Sequence, residues 1–259
     1  MAQRCLCESI PVKKLELTKH AYRLWQNDEL QLDAVDLDTS VTEPGRPERP
    51  CLVEPKHLAR RNPGTLVGHA ALMHAIAHIE FNAINLAWDA IYRFRDLPVA
   101  FYHDWIQVAS EEAYHFQLVL TYLNSLGYDY GDFDAHNGLW QVAMQTAHDP
   151  LLRMALVPRV LEARGLDVTP GMIERLTKFG YDEAANILQI IYNEEIGHVA
   201  IGSRWFCYLC DQRSLNYETE FLRLIQEFSD GKLRGPFNLP ARQQAGFGPL
   251  EIAYLENQS

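Results

Sequence analysis

Residues 184–209 read AANILQIIYNEEIGHVAIGSRWFCYL. Taken in alternating steps of four and three, Ala184, Leu188, Ile191, Glu195, His198, Gly202, Trp205 and Leu209 fall on one helix face. That face is apolar except at Glu195 and His198, which lie three residues apart and project from it together. The repeat is that of a seam inside a helical bundle, interrupted by an acid and an imidazole.

The same interruption recurs upstream. From Gly64 a stripe runs through Leu66, Ala70, Met73, Ala77, Glu80, Ile84, Ala87 and Ile91, and Leu97-Pro98 ends it. The next stripe reads Phe101, Trp105, Val108, Glu112, His115, Val119, Tyr122 and Leu126, with Gly127 as its stop. A third, over about Pro150–Arg164, reads Leu151, Ala155, Pro158 and Glu162, and Pro158 is expected to kink it. Gly165-Leu-Asp-Val-Thr-Pro170 is expected to break this helix, with another helical piece following to Phe179.

The flanks read less regularly. Residues from about Pro11 to Leu30 fit one short helix. From Asp33 to Pro63 the chain is rich in proline and charge, including Pro44-Gly-Arg-Pro-Glu-Arg-Pro50, and is either a strap packed over the surface or a flexible arm. Residues 128–149 form a long connection with one short helix near Leu139 to Thr146. One more helix is expected from Asn216 to about Ser229, and the tail from Gly231 is expected to be irregular. No alternating strand pattern of useful length occurs, so the class is all-α. The divisions expected are an N-terminal helix and strap (1–63), a four-helix bundle (64–210), and a C-terminal helix with tail packed on it (211–259).

The polar interruptions carry the chemistry. Burying a lone carboxylate costs several kcal/mol, and a cation is the economical compensation. Glu80, Glu112, His115, Glu162, Glu195 and His198 are therefore candidate metal ligands. Glu80 precedes Glu112 by 32 residues and Glu162 precedes Glu195 by 33, so a Glu followed by Glu-x-x-His occurs twice. Nineteen glutamates and ten histidines in 259 residues give fewer than one Glu-x-x-His pair by chance, and Glu54-x-x-His57 in the proline-rich stretch is such background. Seam position and equal spacing set the other two apart. Four carboxylates and two imidazoles are hard and borderline donors suited to a dinuclear site, iron first, with manganese or a mixed pair as alternatives.

Several nearby residues are candidate helpers. His69, His74 and His78 precede Glu80 off its register; His74 or His78 would join the site or pack a helix flank on the third or fourth helix. Glu111 and Glu194 each point about 100° from a proposed ligand, as capping or solvated charges, or as one extra ligand. Asp104, Asp89 and Asn193 are candidate acceptors for a ligand histidine's second nitrogen. Tyr122 stands one heptad past His115, too far for a radical role, and Tyr114 reads as packing. Cys207-x-x-Cys210 and Cys5-x-Cys7 read as buried thiols rather than a redox or zinc pair.

Composition narrows the partners. The net charge is −11, which disfavours duplex nucleic acid and anionic membrane. The longest stretch without Asp, Glu, Lys or Arg, Asn62 to Ile79, holds Pro63, Gly64 and three histidines, so no membrane span is expected. Five cysteines and no secretory pattern point to the cytoplasm.

The segments with Glu80, Glu112-Ala-Tyr-His115, Glu162 and Glu195-Ile-Gly-His198 resemble the ferritin-like di-iron carboxylate superfamily. More narrowly, His74-Ala-Ile-Ala-His-Ile-Glu80, Leu161-Glu-Ala-Arg-Gly-Leu-Asp167 and Gly235-Pro-Phe-Asn238 resemble an uncharacterised ferritin-like family known only as a domain of unknown function. The resemblance runs from about Pro11 to Leu255. It implies a ferritin-like four-helix bundle, here with additional N- and C-terminal helices and the long proline-rich loop, and the six ligands above, with Glu112 and Glu195 bridging, Glu80 and Glu162 terminal and one histidine on each metal, but no reaction. The lack of a pair of CxxC knuckles argues against a complete rubrerythrin. The function expected is O2 activation with oxidation of a small organic substrate, served by an electron-donor protein, in a monomer or homodimer. No catalytic residue beyond the metal site is assigned. The alternatives are ferroxidase or iron handling, and a non-enzymatic bundle stabilised by metal. A tRNA hydroxylase is a special case of the first reading, against which the charge counts.

Overall fold

The computed structural model describes residues 1–32, 41–229, 231 and 233–258. Among these the chain is all-α, without a strand; one isolated parallel bridge joins Leu52 to Ala135. No described helix is long and apolar enough to cross a membrane. Two compact units form, residues 1–144 and 145–259.

The first unit is built on a helical hairpin. Helix α3 (Leu66–Arg93) starts where the Thr65 hydroxyl accepts from the Gly68 amide at 3.1 Å. Helix α4 (Val99–Ser125) returns after a five-residue link and ends at Gly127, whose φ of +83° supplies the left-handed stop. The link is held by the Tyr102 hydroxyl, which donates to the Phe94 carbonyl at 3.1 Å and to the Arg95 carbonyl. Against this hairpin pack α1 (Ala2–Cys7), which the sequence did not announce, and α2 (Pro11–Gln26). Lys14 is wholly buried. Its ammonium donates to the Cys5 and Leu6 carbonyls and to Asn85 Oδ1 at 2.6–2.9 Å, closing the end of α1 onto α3. Burial pushes its pKa down to about 7, yet three acceptors need the three N–H groups that only the charged form has.

Of the two readings of the proline-rich stretch, the described part is a strap. Gly45 donates to the Leu6 carbonyl at 2.8 Å, Arg46 to Asn137 at 2.8 Å, and Val53 to the Ala135 carbonyl at 2.8 Å. The strap's residues 33–40 lie outside the described residues. The short helix of the connection, α5 (Gly138–Gln145), meets it where Trp140 donates to the Thr42 carbonyl at 2.8 Å.

The second unit starts with α6 (Pro150–Leu156), capped by Asp149. It passes through a π turn, Val157–Glu162, into α7 (Ala163–Lys178), and α8 (Asp182–Gln212) packs along all three. Pro158 therefore widens the helix rather than simply kinking it. The break expected at Gly165 to Pro170 does not occur: α7 runs through Pro170. A proline there frees the carbonyl four residues back, that of Leu166. The Asn238 side-chain amide donates to that carbonyl at 3.2 Å, so the helix continues without a bare acceptor. After α9 (Tyr217–Ser229), the tail expected to be irregular forms α10 (Leu239–Gln244) and α11 (Pro249–Glu256). Asn238 caps α10, and prolines at the first turns of both suit helix starts.

Candidate metal centre

In the first unit, α3 and α4 bring Glu80, Glu112 and His115 together. All three are buried, Glu112 and His115 with no exposed surface. Each offers one ligand atom, and these lie within 4.8 Å of one another. His115 Nδ1 stands 3.4 Å from Glu80 Oε2 and 3.6 Å from Glu112 Oε2. These separations exceed good hydrogen bonds. They match the spacing of neighbouring donors around one ion, since bonds of about 2.0–2.2 Å set wide apart leave donors about 3–3.5 Å from each other. Burial alone would drive a proton off His115, but the Glu112 and Glu80 carboxylates outweigh it and raise the imidazole to about 11. The field at this point strongly favours positive charge. This buried Glu/His group could hold a metal ion.

In the second unit, Glu195 Oε1 stands 3.6 Å from His198 Nδ1 on α8, with His198 fully buried and the Glu195 side chain 13% exposed. Glu162 is half-buried at the end of the π turn. Among the described residues, those of the second unit alone form no trio of ligand atoms as compact as that of the first. Pro158 and Gly202 meet one turn from Glu162 and His198 respectively. A Cβ on Gly202 would lie 2.3 Å from the Pro158 Cβ and 2.4 Å from its Cγ, so glycine is what lets the proline ring seat against α8.

The helper residues take other parts. His74 Nε2 accepts from the Gly131 amide at 2.9 Å, and the Tyr130 hydroxyl lies 2.8 Å from His78 Nδ1. Both histidines thus hold the 128–136 connection against α3, instead of packing on the third or fourth helix. His69 pairs with the Tyr122 hydroxyl at 2.8 Å, tying α3 to α4. Asp89 takes Arg93 at 2.7 Å, and exposed Asn193 accepts from Gln189, so neither serves a ligand histidine through these contacts. Glu111 accepts from Gln107 at 2.9 Å. The described thiols are free; Cys5 and Cys210 are buried as expected, but Cys7 is exposed and Cys207 only half-buried, and burial pushes Cys210 up to about 12, that of a packed thiol rather than a reactive one.

His74 yields a pH expectation. Burial lowers its pKa to about 4 from 6.5, and its Nε2 must keep a lone pair for the Gly131 amide. The folded state then binds fewer protons than the unfolded chain between those values, so stability is full above pH 6.5 and falls as pH drops toward 4. Urea midpoints measured across that range should decline more steeply in wild type than in His74→Gln; parallel declines would remove His74 from the account.

Fold and site define an all-α protein with a buried acid–imidazole cluster. The chain belongs to the family described as "Protein of unknown function (DUF455)", whose model matches residues 7–253. It is 49% identical over 216 residues to a Haemophilus influenzae protein described as "Uncharacterized protein", covering 81% of this chain and 75% of that one. No solved structure matches it.

Arginine 159 escaped the sequence reading. It follows Pro158 directly in the segment of the third stripe, and the signal was a cation in an otherwise apolar run. Asp167 and Asn238, noted only as parts of motifs, turn out to share one network.

Proposed function

We propose that the chain is a dinuclear carboxylate metalloprotein that uses two iron ions to couple O2 reduction to oxidation of a small organic substrate. The observation that carries this is the compact, buried Glu80–Glu112–His115 cluster. Its support is the sequence repeat, in which Glu162, Glu195 and His198 follow at nearly equal spacing. In this reading residues 64–210 make one ferritin-like bundle, with Glu112 and Glu195 bridging, Glu80 and Glu162 terminal, and one histidine per metal. Manganese or a mixed pair suits the same donors. Bound iron would supply the one-electron steps and the open positions for O2.

The chain's own groups do the rest. Carboxylates offset the metal charge and fix its place, and the imidazoles add neutral nitrogen donors. Phe81 and Phe116, both buried and next in sequence to Glu80 and His115, pack on one another and on Tyr130, fixing the two ligand-bearing helices against the 128–136 connection. An electron-donor protein, a cytoplasmic setting and a monomer or homodimer complete the proposal.

The test of the reaction is O2 uptake by anaerobically iron-loaded protein. Uptake in proportion to bound iron, with a new near-ultraviolet band, is the expected result. Uptake no faster than that of the same iron in buffer would remove the oxidoreductase reading. Iron oxidation that ends in stored ferric mineral would favour ferroxidase instead.

A further inference from the structure

The π turn is held from several sides at one residue. Arg159 lies inside it, with no exposed surface. Its guanidinium carbon stands 4.3, 4.5 and 4.8 Å from the ring centres of Phe221, Phe247 and Phe206. Its Nη2 donates to Glu251 Oε2 at 2.7 Å and its Nε to Ser203 Oγ at 3.1 Å. The Gly248 amide donates to the same Glu251 oxygen at 2.7 Å. These partners come from α8, α9, α11 and the turn before α11, so the C-terminal segment closes on the π turn through Arg159.

A π turn matters for aim. Its i→i+5 bonding advances each residue by less than the 100° of an α-helix, so the residue at its end is turned back from where an α-helix would point it. That residue is Glu162. A wide turn is uncommon and persists where its surroundings over-determine it. Pro158, seated on Gly202, anchors one end; Arg159 anchors the next residue.

We propose that Arg159 is the positioning residue for Glu162, holding the π turn in the register that presents that carboxylate to the second metal. This rests on Glu162 being a ligand of a two-metal site. Arg159 acts through the turn and touches no reacting group. The planar guanidinium is what the site requires, since it stacks on three rings while reaching one carboxylate and one hydroxyl.

The experiment is titration of the full chain with Mn2+ alone, free ion being counted by its electron paramagnetic resonance signal. The variants are Glu162→Ala, Arg159→Met and Phe247→Leu, and melting temperature and far-ultraviolet circular dichroism are read on each. Wild type should bind two ions. Glu162→Ala and Arg159→Met should each keep the first at wild-type affinity and weaken the second at least tenfold. Phe247→Leu, which keeps the ion pair and loses one ring, should weaken only the second, by less; it carries the test if Arg159→Met does not fold. A merely structural role would lower the melting temperature and leave both affinities alike, which would overturn the inference. Two ions bound by Arg159→Met or Phe247→Leu as in wild type, with only one tight in Glu162→Ala, would overturn it while leaving the ligand reading intact. Two ions bound tightly by Glu162→Ala would overturn the ligand reading, and the inference with it.

Discussion

Gly202→Ala is expected to destabilise the fold by about 3 kcal/mol, the upper end of what overpacking costs. By helix propensity the change should do the reverse, because alanine is favoured over glycine inside a helix by about 1 kcal/mol. The new methyl would sit 2.3 Å from the Pro158 Cβ, and a proline ring cannot swing aside as a flexible side chain can. Either α8 or the π turn has to move, and both carry proposed ligands one turn away. Metal affinity should therefore fall with stability. The double variant Pro158→Gly/Gly202→Ala, which removes the Pro158 Cβ as well as the ring, should recover part of the loss, with a coupling of about 1–3 kcal/mol in the cycle, as for residues in direct contact. Urea unfolding of the four proteins decides it. A single variant as stable as wild type, or more so, would mean the contact does not constrain the turn.

Asp167→Ala should cost about 3–5 kcal/mol, the usual loss when one partner of a buried ion pair is removed. Arg242 donates to both Asp167 oxygens, from Nε at 2.9 Å and from Nη2 at 2.7 Å. The Asn238 amide adds a third bond at 2.9 Å. Arg242 is 2% exposed, so truncating the acid strands a charge that water cannot reach. The same loss loosens Asn238, whose side chain covers the carbonyl that Pro170 frees. Asp167→Ala should thus unfold α7 locally around Leu166 as well as lower global stability. Hydrogen exchange along α7 reads the first effect and urea denaturation the second. Asp167→Ala/Arg242→Met should be milder than Asp167→Ala alone, because no buried charge is left over. A double variant as unstable as the single would point to shape rather than charge.

The parts of the fold that sequence made legible are those written in local pattern. The three long stripes, the stop at Gly127 and the helices at 138–145 and 217–229 follow from spacing and turn chemistry, which act within a few residues. The acid–imidazole interruption on α3 and α4 was legible for the same reason, and Glu80, Glu112 and His115 do converge. What was not legible depends on partners far along the chain. Pro170 reads as a breaker until Asn238, 68 residues later, takes the freed carbonyl. His74 and His78 read as additions to the site or as a helix flank until Gly131 and Tyr130 meet them. The C-terminal residues read as irregular, yet Arg159 and Arg242 draw Glu251 and Phe247 onto the second unit and give α10 and α11 a surface to fold on. The π turn is the same case: Pro158 signals a disturbance, but only its seat on Gly202 shows how the helix absorbs it.

The most direct measurement is iron stoichiometry after anaerobic ferrous loading and removal of free metal, on wild type and Glu112→Ala. Glu112 has no exposed surface and lies 3.6 Å from His115, so removing it takes away one of the two carboxylates that face that imidazole. Two irons per chain in wild type, lost in the variant, together with a di-ferric absorption that appears only in wild type after an air pulse, is the predicted result. No tight iron in wild type, or equal iron in both proteins, would contradict the account and leave Glu80, Glu112 and His115 as a buried ion-pair network.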